Sequence, residues 1–270
     1  MGARLAVKRR ILDDIHAAYH RREYIHPDPL EFLHGYSRAR DREVVGLVAS
    51  SLAYGRVAQI LGSVSQVLGH LGPLPAEFLE HASGETLRQA FARFRHRFTD
   101  GGELADLLQA AGRIIREYGS LQECFLRGYR PQDSDMTDAL IAFTRELKSR
   151  MSGKENSLLP CPERGSACKR LHLYLRWMVR RDAVDPGGWE GVSKALLIVP
   201  LDVHMHRICT GLGLTTRSQA DLRTAREITA SFRKIAPDDP VRYDFALTRV
   251  GIRMDIDTEC RMLYNDLLRC

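Results

Sequence analysis

At 270 residues, with 44% hydrophobic and 27% charged content, the chain has the composition of an ordinary globular protein that can bury a substantial core, as one large domain or two small ones. No apolar run approaches the roughly 20 residues needed to span a bilayer. The N-terminal MGARLAVKRRILDD also lacks the apolar stretch and small-residue cleavage site of a signal peptide, so a cytoplasmic protein is expected. The net charge of +6 favours a polyanionic partner.

Helical periodicity dominates in chain order, without a convincing alternating strand or an internal repeat. Residues 4–22 predict a basic amphipathic helix, and 26–37 a turn with a short helix. Asp41 is expected to cap the apolar helix REVVGLVASSLAY, which ends at Gly55, and a further helix closes at Gly72-Pro73. Helices are also expected over 75–82, 85–94, 102–118, 120–128 and 134–151. An irregular stretch, 152–166, leads to a helix over 167–181. A loop (182–193) and an apolar run precede Asp202, and helices over 203–212, 218–235 and 240–252 follow. The expectation is an all-α fold of two helical lobes meeting at a groove: 40–151 in one, 1–39 with 152–270 in the other.

The segment IVPLDVHMHRI (198–208) is the most informative. Met205, Ile208, Cys209 and Leu212 fall at i, i+3, i+4 and i+7, one buried helical stripe. Asp202 therefore stands at a helix mouth, where its carboxylate can cap free N–H groups and feel the positive end of the helix dipole. The helix 167–181 buries Leu171, Tyr174, Leu175, Met178 and Val179. Its other face carries Lys169, His172, Arg176 and Arg180, read either as a solvated basic face or as a phosphate-binding one. The chain has only six lysines, arginine supplying the remaining basic residues, so Lys169 just after Gly165-Ser166 stands out. The six cysteines form no C-x-x-C pair and are expected to be reduced thiols.

A turn, a helix with an early lysine, and then Leu201-Asp202-Val203-His204 at the next helix start resemble the helix-hairpin-helix DNA glycosylase superfamily. That superfamily includes endonuclease III, the 8-oxoguanine DNA glycosylases and the archaeal oxoguanine glycosylases. Residues 44–60 and 244–252 are similar to its early helix-turn-helix and its late helix, so the resemblance spans about 40–255. It implies a base-excision repair enzyme, monomeric and nucleoid-associated, acting on double-stranded DNA with a damaged base, an oxidised purine being one candidate. Asp202 would be the catalytic carboxylate. Lys169 would be the nucleophile of an abasic-site lyase working through a Schiff base. DNA contacts are expected from Gly165, Ser166, Arg170, His172 and Arg176, from His204 and Arg207, and from Tyr54 and Arg56. Trp177, Trp189 and Phe245 are base-pocket candidates for an extruded nucleotide.

Three departures from the superfamily pattern stand out. The usual hairpin L-P-G-V-G reads Leu159-Pro160-Cys161-Pro162-Glu163-Arg164-Gly165 here, Lys169 follows Gly165 by four residues, and the interval to Asp202 is long. No iron–sulfur cluster is expected, because only Cys260 and Cys270 follow the last helix. Two other readings remain: a non-catalytic DNA-binding module, or a metal-dependent hydrolase using Asp202, His204 and His206. The second needs a strand, since on a helix residues two apart diverge by about 200°.

Overall fold

The structure is a computed structural model that describes residues 3–153 and 155–253. Its helices are α1 (Ala3–Tyr19), α2 (Ala39–Ser51), α3 (Val57–Leu71), α4 (Pro75–His81), α5 (Gly84–Ala90) and α6 (Gly101–Tyr118), then α7 (Leu121–Gly128), α8 (Thr137–Ser149), α9 (Lys169–Val179), α10 (Val203–Gly211), α11 (Leu222–Arg233) and α12 (Asp244–Arg253). The all-α expectation holds, and none of the described helices is long and apolar enough to cross a membrane. Cys260 and Cys270, on which the iron–sulfur expectation turned, lie outside the described residues.

α6 is the hub of one group of helices and packs against α4, α5, α7 and α8. At the other end α1 packs against α12, which also meets α10. One continuous hydrophobic core runs through both regions. α2, buried on almost every side, links them by packing on α4, α7 and α9. Gly46 makes the α2–α9 approach close: a β-carbon there would stand 3.2 Å from the Tyr174 ring.

Helix starts are set by side-chain oxygens that take up free N–H groups. Ser83, Ser120 and Asp221 cap α5, α7 and α11, and Asp100 forms a capping box with Glu103 at α6. Asp41 corrects its expected role. It lies inside α2, and its Oδ1 accepts the Ala76 N–H at 3.1 Å, so it caps α4 instead. Pro75 at the first position of α4 contributes no N–H, which leaves Ala76 as the donor that a neighbour can satisfy. Glu43, two residues along the same buried helix, accepts from the Leu121 and Gln122 N–H groups at 3.0 and 3.1 Å. Two buried carboxylates on α2 therefore fix the starts of two other helices.

The second correction is at 85–100. The helix expected over 85–94 stops at Ala90, and a short antiparallel hairpin follows, β1 (Arg95–His96) paired with β2 (Thr99–Asp100). Its two-residue turn is Arg97-Phe98, with Arg97 at φ 56°. Such turns normally carry Asn or Gly at positive φ, so the usual sequence signal is missing.

Candidate active site

Asp202 is the N-cap of α10, and its Oδ1 accepts the Met205 N–H at 2.8 Å. Its Oδ2 lies 2.9 Å from Lys169 Nζ. Lys169 is the first residue of α9. The turn before it uses left-handed backbone twice, at Gly165 (φ 75°) and at Cys168 (φ 44°), a conformation glycine adopts freely and other residues rarely. The Gly165 carbonyl accepts the Leu222 N–H at 3.0 Å, and Ser166 bridges to Asp221, so the turn is tied to the start of α11. Two helix starts thus bring the lysine and the aspartate together. Burial disfavours the Asp202 charge, but the Lys169 ammonium and the Met205 N–H outweigh it and hold the carboxyl below its usual range.

The pair lines a cavity of about 340 Å³. Ala53, Gly55, Val57 and Ile60 form one wall, Leu173 and Pro200 another, and His204 stands on the exposed rim. Its charged side chains come as ion pairs: Lys169 with Asp202, Arg176 with Asp244, and Arg249 with Asp28. Three cations matched by three carboxylates leave little net charge, which suits a neutral hydrogen-bonding ligand better than an anion. Burial pushes the Asp244 carboxyl up to about 6, against the pull of Arg176. Asp28, Asp244 and Arg249 were missed by sequence reasoning. Asp28 and Arg249 are far apart in sequence, and no local pattern links them.

Of the base-pocket candidates, only Phe245 reaches the cavity. Its ring lies beneath the guanidinium groups of Arg249 (4.7 Å) and Arg176 (6.0 Å). Trp177 and Trp189 are core residues, and Trp189 Nε1–H donates to Glu43 Oε1 at 2.8 Å.

The basic face of α9 is corrected as well. His172, Arg176 and Arg180 are all buried, and are neither solvated nor open to a phosphate backbone. The loop after α9 folds back on it. Gly187 and Trp189 N–H groups donate to the Trp177 and Met178 carbonyls, and Asp185 pairs with both Arg176 and Arg180. Arg170 is a structural staple. It donates to the Ser51 and Ser157 carbonyls at 2.7 Å each, and its guanidinium stacks 5.0 Å above the Tyr54 ring.

Gly165, Ser166, Arg56 and Arg207 are exposed, and Tyr54 is half-buried. His206 Nε2 is 2.8 Å from the Arg217 carbonyl, and residues 203–211 are helical as expected. Asp202, His204 and His206 therefore do not converge, and among the described residues no group of three His, Cys, Asp or Glu side chains is placed to hold a metal ion.

No curated protein and no solved structure matches the chain. Residues 28–253, which include every residue lining the cavity except Pro27, match the family model described as "Protein of unknown function (DUF2400)", and the chain belongs to that family.

Proposed function

We propose that this chain is a DNA glycosylase of base excision repair that removes a damaged base, an oxidised purine being one candidate, and cleaves the resulting abasic site through Lys169. The observation that carries the reading is the 2.9 Å pairing of Lys169 Nζ with Asp202 Oδ2 on the wall of a cavity with little net charge. An N-glycosidic bond breaks with positive charge developing on the sugar, and a fixed, ionised carboxylate stabilises that charge. The helix cap and the lysine hold Asp202 in this state.

Lys169 must lose a proton before it attacks; Asp202 is the adjacent acceptor and passes that proton to the departing base, so that it is ionised again as charge develops on the sugar. The nitrogen bonds C1′ as the C1′–N bond to the base breaks; the electron pair leaves with the base, which takes up a proton. Opening of the sugar ring then gives a Schiff base, and loss of a C2′ proton expels the 3′ phosphate. A base reaches the cavity only when extruded from the duplex.

A panel of duplexes, each with one damaged base or abasic site, tests the reading by product release and borohydride trapping. Asp202→Asn is expected to abolish base release while DNA affinity is kept, and Lys169→Ala to lose the trapped adduct. If Asp202→Asn stays fully active, the glycosylase reading fails. Binding without trapping or base release would leave a DNA-binding module only.

A further inference from the structure

Phe245 lines the cavity, yet only 2% of it is exposed. What covers it follows from the sequence of α12. Arg249 comes four residues after Phe245, and side chains on a helix lean toward its N-terminus. The Arg249 guanidinium therefore lies over the ring, 4.7 Å from its centre. Arg176, from α9, stands over the same ring at 6.0 Å.

Arg249 is held there from a second direction. Asp28 precedes the short helix Pro29–Gly35, where its Oδ1 accepts the Leu30 N–H at 3.0 Å and its Oδ2 takes the Arg249 guanidinium. The guanidinium is thus fixed between a ring and a carboxylate, with only 5% of the residue exposed. Arg249 also lines the cavity, so a base entering on this side meets a cationic plane in place of the aromatic one.

A guanidinium seated on an aromatic ring offers its other face as a stacking platform. A neutral base presents a negative π face to that platform and is attracted to it. A base that carries positive charge is repelled, inside a pocket where water screens the charge little. The carboxylates of the cavity do not offset this, because each is already engaged: Asp28 by Arg249, Asp244 by Arg176, and Asp202 by Lys169. Damaged bases divide on this property. Methylation of guanine at N7 or of adenine at N3 leaves a cation, whereas oxidation and deamination leave a neutral base.

We propose that Arg249 is a charge filter on base entry: its guanidinium covers Phe245, accepts a neutral base as a stacking partner and refuses one made cationic by alkylation. This rests on the glycosylase reading and narrows it to neutral lesions. A cationic base leaves the sugar with little help, so a site that accepted one would release it. The refusal must therefore act at entry.

The test uses the full chain and duplexes with one modified base each: a panel of oxidised bases, 7-methylguanine, and 7-methyl-8-oxoguanine, which has the same methyl group without the charge. Free base is measured against spontaneous loss. Wild-type protein is expected to release a neutral oxidised base and 7-methyl-8-oxoguanine, and to leave 7-methylguanine at the spontaneous rate. Arg249→Ala is expected to release 7-methylguanine at least about tenfold above that rate. The double variant Asp28→Asn/Arg249→Ala, which leaves no unpaired carboxylate, should do the same; asparagine keeps the cap on the Leu30 N–H. Release of 7-methylguanine by wild type overturns the filter while the glycosylase reading stands. Refusal of 7-methyl-8-oxoguanine as well would assign the exclusion to the methyl group and also overturn it. So would a double variant that releases the neutral base but still refuses 7-methylguanine. The wild-type comparison of the two methylated purines decides the role of charge even where a variant fails to fold. If wild type releases no base from any duplex, the glycosylase reading falls and the filter with it.

Discussion

Trp189 Nε1–H donates to Glu43 Oε1 at 2.8 Å, joining the loop after α9 to the buried helix α2. Glu43 also takes the Leu121 and Gln122 N–H groups, so one carboxylate satisfies three donors. Burial is the larger influence and pushes its carboxyl up to about 7. The folded-state value exceeds the unfolded one, so the contribution is complete below about pH 4.3 and is lost as pH rises through 7. Glu43→Ala should destabilise the protein by ~2–4 kcal/mol, since three donors, two of them buried, lose their acceptor at once. Urea unfolding at pH 7 measures this. In Glu43→Gln, unfolding curves between pH 4.5 and 7.5 should lack this component of the pH dependence.

Asp185 is fully buried between Arg176 and Arg180. Asp185→Ala would leave two buried guanidinium groups short of a carboxylate, although Asp244 and Asp239 remain as partial partners. Breaking a buried pair by removing one member costs ~3–5 kcal/mol. The fall in urea midpoint should far exceed that of Arg226→Ala, whose ion pair with Asp135 lies at the surface on the arginine side. Equal effects from the two variants would refute the view that burial sets the strength of this network.

How much of this was legible in the sequence depended on how local its cause was. The stripe from Met205 to Leu212 and the cap at Asp202 depend on neighbours within one turn, and both are found. Lys169 at the first position of α9 was likewise readable. Asp41 looked like a local cap, but its acceptor oxygen serves α4, and only tertiary packing reveals that. The polar face of α9 read as solvated because Arg and His are ordinarily exposed. Asp182 and Asp185 in the following loop were the available signal, since both pair with Arg180. The 95–100 hairpin carried no glycine or asparagine at its turn, so nothing marked it between the helices expected over 85–94 and 102–118.

His172 is fully buried, and neither ring nitrogen has a hydrogen-bond partner among the described residues. Burial lowers its pKa to about 4, below the roughly 6.5 of an unfolded chain. The unfolded state therefore binds a proton first as pH falls, and stability present above about pH 6.5 is lost toward pH 4. The loss from this one group at pH 5 is ~2 kcal/mol. His172→Leu should narrow the gap between unfolding free energies at pH 7.5 and pH 5.0 by about that amount. Glu43 and Asp244 titrate with the opposite sign, so the comparison must be between variant and wild type at each pH. An unchanged gap would mean that the folded protein protonates His172 as readily as the unfolded chain does, and would refute the lowered pKa.

Asp202 combines a cap and a charge, and two substitutions separate them. Asparagine caps a helix about as well as aspartate, whereas alanine costs ~1 kcal/mol. Asp202→Asn should thus keep the bond to the Met205 N–H and lose only the attraction to Lys169, a small term for a pair still reached by water. Asp202→Ala should be the less stable of the two by ~1 kcal/mol, read from urea midpoints at pH 7. The pH dependence carries the same distinction. The lowered Asp202 pKa supplies stability that is present above the unfolded value and lost as pH falls through the folded one, and both variants should lack it. Under the glycosylase reading both should also lose base release equally, because neither offers an ionised oxygen to the sugar. A stable Asp202→Asn with no activity would locate the function in the charge; activity that tracked stability across the two variants would locate it in the cap.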